Sequence, residues 1–163
     1  FAFMDWSDFD PQIWKEVRAE AMAAIQPVPT QIFASDQHPG AVRQTMESLG
    51  EADVEEWVDV RQVDFFKLEP RTEGGVMVLN PPYGERMDPG DVVGLYEQIG
   101  DRLKFHWPGF DAWVISSNDE ALKRVGLRPH KRIPVFNGAL ECRWAGFSMY
   151  KGSKADQFKT PRS

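Results

Sequence analysis

Residues 76–79 read Val-Met-Val-Leu and stop at Asn80-Pro81-Pro82-Tyr83. Four apolar residues without alternation describe a strand covered on both faces, which demands a sheet sandwiched between helices. The two prolines deny the chain ladder donors and hold it extended, so the strand must leave the sheet through a stiff turn. A buried sheet with a rigid turn at one strand's carboxyl end is the frame the other segments must fit.

They fit it as an alternation. Asp10-Pro11 sets a capping carboxylate before a proline at the first helical position. Ile13, Trp14, Val17, Ala21, Ala24 and Ile25 follow at helical spacing, predicting an amphipathic helix over 11–25 that Pro27 and Pro29 end. Residues 31–35 read as a short strand stopping at Asp36. Residues 38–49 read as a helix, with Val42, Met46 and Leu49 inward and Gly50 as its C-cap. Residues 58–63 alternate like a strand and stop at Asp64. After the turn come a helix over about 91–105, a strand over 112–116 and a helix over 119–125 capped by Asn118. Strands over 132–136 and 141–150 follow, joined by the hairpin dipeptide Asn137-Gly138. This order predicts a doubly wound α/β sheet, mostly parallel, with an antiparallel hairpin at one edge.

With 163 residues, 42% hydrophobic and 27% charged, the chain is long enough for one compact domain and is neither collagen-like nor disordered. No apolar run approaches the roughly 18–20 residues a membrane-crossing helix needs, and no signal peptide opens the chain, so no membrane is expected as a partner. Cys142 is the single cysteine, which leaves no intramolecular disulfide and no multi-cysteine zinc site and points to a reducing, cytoplasmic setting. The net charge of −6 hides a division. Residues 1–101 carry 20 Asp/Glu against 7 Lys/Arg, and residues 102–163 carry 5 against 12. A polyanion would meet two different surfaces, although surface charge also segregates without purpose. The opening Phe1-Ala2-Phe3, without an initiator methionine, reads as the start of a piece of something longer.

Three strands thus end on a polar residue: Asp36, Asp64 and Asn80. Ligands of open α/β sheets bind beyond the carboxyl ends of strands, and an acid there accepts hydrogen bonds from ribose hydroxyls. The same acids also cap the helices that follow strands. The Asn-Pro-Pro-Tyr turn is more specific. It aims the Asn80 side-chain oxygen and the Pro81 carbonyl as two acceptors at one point, where they can hold both protons of a planar exocyclic amine. Tyr83 offers a face on which a base can stack, worth about 1–3 kcal/mol.

Asn-Pro-Pro-Tyr marks amino-group methyltransferases. The extended stretch Val78-Leu79-Asn80-Pro81-Pro82-Tyr83-Gly84-Glu85-Arg86 resembles the RNA guanine-N2 methyltransferases that carry a THUMP domain. Residues 1–6, 34–36, 95–101 and 136–142 resemble the same group, with those acting on bacterial 23S rRNA the nearest in kind. The resemblance covers residues 1–152, and 153–163 are a polar tail. It implies a Rossmann-like, class I fold dependent on S-adenosylmethionine. It implies Asp36 on the cofactor's ribose, Asp64 on the adenine amino group and Phe65 beside the adenine ring. It also implies Asn80 and Pro81 on the guanine N2 amine, Pro82 stiffening the turn and Tyr83 on the flipped base, with direct methyl transfer and no metal. The partner implied is RNA, most of all large-subunit rRNA.

The family form begins with a strand and a glycine-rich loop like Asp-Pro-x-Cys-Gly-Ser-Gly, which this sequence does not contain. The expectation is a partial catalytic domain whose first, central strand, glycine-rich loop and THUMP domain lie upstream in the parent chain. Two other readings stay open: methylation of adenine N6 in DNA or RNA, and a non-catalytic RNA-binding or assembly module. Glu85 and Arg86 read equally as RNA contacts or a surface pair. The run Lys123, Arg124, Arg128, His130, Lys131 and Arg132 reads as a solvated face or as phosphate contacts. His38 and His106 lack neighbouring ligands in sequence, Cys142 reads as a small buried hydrophobe, and the six tryptophans read mostly as packing residues.

Overall fold

The structure is a computed structural model that describes residues 1–26, 30–82 and 89–150. It divides into two bodies, one ending at Val63 and the other beginning at Asp64.

In the first body, Asp10 caps helix α1 (Pro11–Ala23) by accepting the Gln12 and Ile13 amides, and Pro11 takes the first helical position. The Trp14 ring packs against Phe1 and Phe3 in an aromatic knot, with the Phe3 centroid 5.1 Å away. The rest of the stripe is not buried as its periodicity predicts: Ile13, Val17 and Ile25 are exposed. Among the described residues of this body no neighbour covers that face, and none of them is fully buried. Strand β1 (Ile32–Asp36) pairs in parallel with β2 (Val58–Gln62), from Ile32 opposite Val58 to Asp36 opposite Gln62. Helix α2 (Pro39–Glu51) makes the crossover and packs on both strands. It runs through Gly50 instead of stopping there. Ala52 is the C-cap, and Asp53 takes the left-handed conformation at φ 56°, which a short polar side chain tolerates.

The second body holds a four-stranded sheet and two helices. Strand β3 (Gly75–Leu79) pairs in parallel with β4 (Phe110–Ser116), and β4 pairs antiparallel with β6 (Leu140–Ser148). β6 in turn pairs antiparallel with the edge strand β5 (Lys131–Asn137), so β3, β4 and β5 all point the same way. The hairpin loop is Gly138-Ala139, because Asn137 still pairs with Leu140. Gly138 at φ 62° supplies the positive torsion that a two-residue loop needs at its first position. Helix α3 (Pro89–His106) places Val92, Tyr96, Ile99 and Leu103 into the core, where Ala112, Val114, Ala145 and Phe147 of the sheet also lie. Helix α4 (Asp119–Arg124) packs beside α3, and the Asn118 side chain caps it by accepting the Ala121 amide.

The opposite sheet face departs from expectation. Met77 and Leu79 pack against the core, but Val76 and Val78 are 73% and 64% exposed. Within the described residues of this body, no helix covers their side of β3. Trp113, opposite Val78 in register, and Trp144, opposite Ile115, sit half-buried, with ring centroids 5.2 Å apart. Trp6 is exposed as well, so of the six tryptophans only Trp107 is fully buried.

Candidate active site

The parallel ladder of β3 runs out at Leu79 opposite Val114, two residues before β4 ends at Ser116. Leu79 is anchored in the core, and the chain leaves the sheet at once through exposed Asn80, half-buried Pro81 and exposed Pro82. The turn therefore stands at the carboxyl end of β3, with Asn80 and Pro82 exposed. Tyr83, Glu85 and Arg86 lie outside the described residues.

Asp64 follows β2 and opens the second body. Its Oδ1 accepts the Phe66 amide at 2.9 Å and caps the short turn Phe65–Lys67. Phe65 is half-buried, packs edge-on to Phe66, and rests against the same core as Met77 and Leu79. In the first body, Asp36 ends β1, its carbonyl accepts the Val63 amide, and its Oδ1 accepts the His38 amide at 2.7 Å. Capping and ligand binding, opened as alternatives for these acids, are not exclusive. Each carboxylate has one oxygen holding backbone and a second, Oδ2, with no hydrogen bond among the described residues. A free carboxylate oxygen at a strand's carboxyl end suits the hydroxyl and amino donors of a nucleoside, so both residues fit S-adenosylmethionine in donor–acceptor character.

His38 caps α2, with Nδ1 accepting the Gly40 amide. His106 lies 3.6 Å from Glu69, whose carboxylate also takes a 2.6 Å hydrogen bond from Arg102. That bond holds the Glu69 carboxyl below the usual carboxylate range. Cys142 is buried.

Three members of the basic run have acidic partners. Lys123 pairs with Glu120, Arg124 lies 3.6 Å from Glu97, and His130 Nε2 lies 2.9 Å from Asp111 Oδ1. Arg128, Lys131 and Arg132 are exposed without an ion pair among the described residues. Through the ladders, Lys131 and Arg132 at the start of β5 lie level with Trp113 and Val114 of β4, and so with Val78 and Leu79 of β3, three strands over. A shallow hollow of about 580 Å³ opens near there, lined partly by Asp111, His130 and Ser148. The Asp111 carboxylate in it accepts from Ser148 and Trp113, each at 2.9 Å, besides the contact with His130, so its acceptors are already used.

Sequence reasoning missed one polar group at the carboxyl end. Tyr96 and Ser116 are both wholly buried, and the tyrosine hydroxyl donates to Ser116 Oγ at 2.8 Å. Ser116 Oγ also accepts the Asn118 amide at 3.1 Å. The only signal was a hydroxyl-bearing residue within the apolar stripe of α3.

Parallel strands joined by helical crossovers, finished by an antiparallel hairpin, make this the α/β fold of class I methyltransferases. Residues 4–146 match the family described as the RMKL-like methyltransferase domain, UPF0020, and the chain belongs to that family. A ribosomal RNA large subunit methyltransferase K/L from Vibrio parahaemolyticus is 34% identical over 167 residues, covering 98% of this chain and 23% of its own length. The fold matches SMU.472 in complex with SAH at a TM-score of 0.77 and 24% identity, over 94% of this chain and 41% of that one. It also matches a structure described as a predicted N6-adenine-specific DNA methylase from Listeria monocytogenes, at a TM-score of 0.66 and 25% identity, over 91% of this chain and 37% of that one. The chain spans between a fifth and two-fifths of the length of the curated relatives it matches.

Proposed function

We propose that these residues form part of a catalytic domain that methylates the N2 amine of a guanine in RNA, namely large-subunit ribosomal RNA, with S-adenosylmethionine as donor. The observation that carries this reading is the Asn80-Pro81-Pro82 turn standing open at the carboxyl end of β3. The family and the ribosomal RNA methyltransferase among its relatives support the RNA target. The glycine-rich loop and a THUMP domain belong, on this reading, to upstream sequence of the parent protein, which works in the cytoplasm.

S-adenosylmethionine supplies a methyl group made electrophilic by its sulfonium. The free oxygen of Asp36 holds the ribose hydroxyls, that of Asp64 holds the adenine amino group, and Phe65 flanks the adenine ring. Asn80 Oδ1 and the Pro81 carbonyl accept the two N–H bonds of the guanine amine and turn its lone pair toward the methyl group. Pro82 keeps the two acceptors from drifting, and Tyr83 stacks on the base. A base in a duplex must be flipped out to reach them, at a cost of a few kcal/mol. Proton loss follows transfer, when the nitrogen is cationic and acidic, so no side chain has to act as a general base. Catalysis then rests on orientation and exclusion of water.

A second reading, adenine N6, is favoured by the description of the Listeria structure, since both amines offer the same donors. The turn itself is tested in the complete natural polypeptide. Asn80→Ala lowers transfer of labelled methyl to RNA by about a hundredfold, the scale of lost orientation, and leaves the melting temperature unchanged because Asn80 is exposed. A variant as fast as the natural protein would refute the role given to the turn.

A further inference from the structure

We infer that the edge strand β5 is a second contact for single-stranded RNA, with Phe136 stacking on the base of a nucleotide beside the target and Arg132 holding a phosphate. The inference rests on the RNA target just proposed and adds to it a surface outside the amine-binding turn. In the ladder with β6, Arg132, Pro134 and Phe136 lie opposite Ala145, Arg143 and Glu141, so the three share one face of the strand. Ala145 belongs to the core, which makes this the face that α3 and α4 cover further in. At β5 that cover has ended: Arg132, Pro134 and Phe136 are all exposed, Phe136 at 72%. β5 points the same way as β3, and Phe136 stands two residues past the level of Ser116, at the carboxyl end of the sheet. The side step from β3 to β5 is three inter-strand spacings, roughly 14 Å, so the ring reaches a neighbour of the base held at Asn80 and not that base itself.

The demands of an edge strand account for only part of this row. Cations and proline on an edge keep other strands from pairing with it, and Lys131, Arg132 and Pro134 serve that end here. Proline also lacks the donor that an added strand would need, which argues against a β-strand of another protein as the occupant. A phenylalanine left mostly bare adds nothing to that protection. Beside unpaired cations it fits nucleic acid instead. Surfaces that bind single strands combine cations for the backbone with aromatic faces on which successive bases stack. Arg128, Lys131 and Arg132 have no ion pair among the described residues, so each is available to a phosphate. Glu141, across the ladder from Phe136, does not set a free negative charge against a polyanion, because Arg143 holds its carboxylate at 2.6 Å. The ring has no polar atom with which to choose among bases, so it grips the strand and leaves selection of the nucleotide to the turn.

The test measures how the complete natural polypeptide binds a short single-stranded oligoribonucleotide of mixed sequence, with the annealed duplex as a second probe. It also reads kcat, KM for RNA, KM for S-adenosylmethionine and thermal unfolding. Phe136→Ala should weaken single-strand binding about tenfold and raise KM for RNA in step. Its kcat, its KM for the cofactor and its melting temperature should stay unchanged, because the ring is exposed and holds the strand equally before and during transfer. Phe136→Trp should keep the affinity, whereas Phe136→Leu, apolar but without a flat face, should lose it. Duplex binding should be the same in all three variants, since paired and stacked bases do not offer their faces. Arg132→Gln should lower the slope of log Kd on log salt by about 0.7, the effect of one phosphate contact on a single strand. Single-strand binding unchanged in Phe136→Ala, or kept in Phe136→Leu, would overturn the inference, as would a loss shared equally by the duplex. A Phe136→Ala variant altered only in its oligomeric state would overturn it in favour of a protein partner. Natural protein that binds the oligoribonucleotide but transfers no methyl group would instead overturn the proposed function, and the affinities of the variants would still decide the role of Phe136.

Discussion

Asp36 and Asp64 divide their carboxylates between two tasks, one oxygen on a backbone amide and one left free. Their position at strand ends is legible from the residues alone, but the division is not, because capping and ligand binding draw on the same residue types at the same places. Tyr96 shows the opposite limit: its spacing in α3 announces a buried ring, while its partner Ser116 stands 20 residues on and is brought near only by packing. Glu69 gives a prediction at this scale. Hydrogen bonding from Arg102 holds its carboxyl below the usual range, so the pair contributes stability above the unfolded-state pKa and loses it as pH falls through the lower folded value. Glu69→Gln should therefore melt below the natural protein at neutral pH, with the gap closing at acid pH, below the ordinary glutamate range. A gap of equal size at both pH values would contradict this. The difference should be small, since the carboxylate is exposed.

Among the elements, α3 and α4 meet at Gly100. A Cβ there would collide with the Val125 carbonyl oxygen, and backbone cannot swing aside as a side chain can. Gly100→Ala should cost about 1–3 kcal/mol, a fall of roughly 3–10 °C in melting temperature by differential scanning calorimetry. An unchanged melting temperature would mean that the helices are not so closely packed. The order of helices and strands was legible because the hydrophobic period changes at each boundary, and the caps Asp10 and Asn118 announced their helices. Two features were not legible. The hairpin turns at Gly138-Ala139, one residue past the Asn-Gly dipeptide, because ladder pairing persists through Asn137. The unbroken apolar run of β3 promised cover on two faces, yet both helices of its body lie on one. Composition records that a face is apolar, not which element meets it.

At the scale of the whole chain, the positive charge of residues 102–163 is partly matched by acids in the second body. Arg102, Lys123, Arg124 and Arg143 are each matched by a nearby glutamate. Lys131 and Arg132, left without an ion pair among the described residues, stand level with the last residues of β3, three strands away across the sheet. The functional claim rests on the turn after β3 and on family membership. Its most direct test is the identity of the methylated nucleoside. The complete natural polypeptide is incubated with large-subunit ribosomal RNA and methyl-labelled S-adenosylmethionine, and the RNA is digested and resolved by mass spectrometry. The account predicts label in N2-methylguanosine, and label in N6-methyladenosine would contradict it.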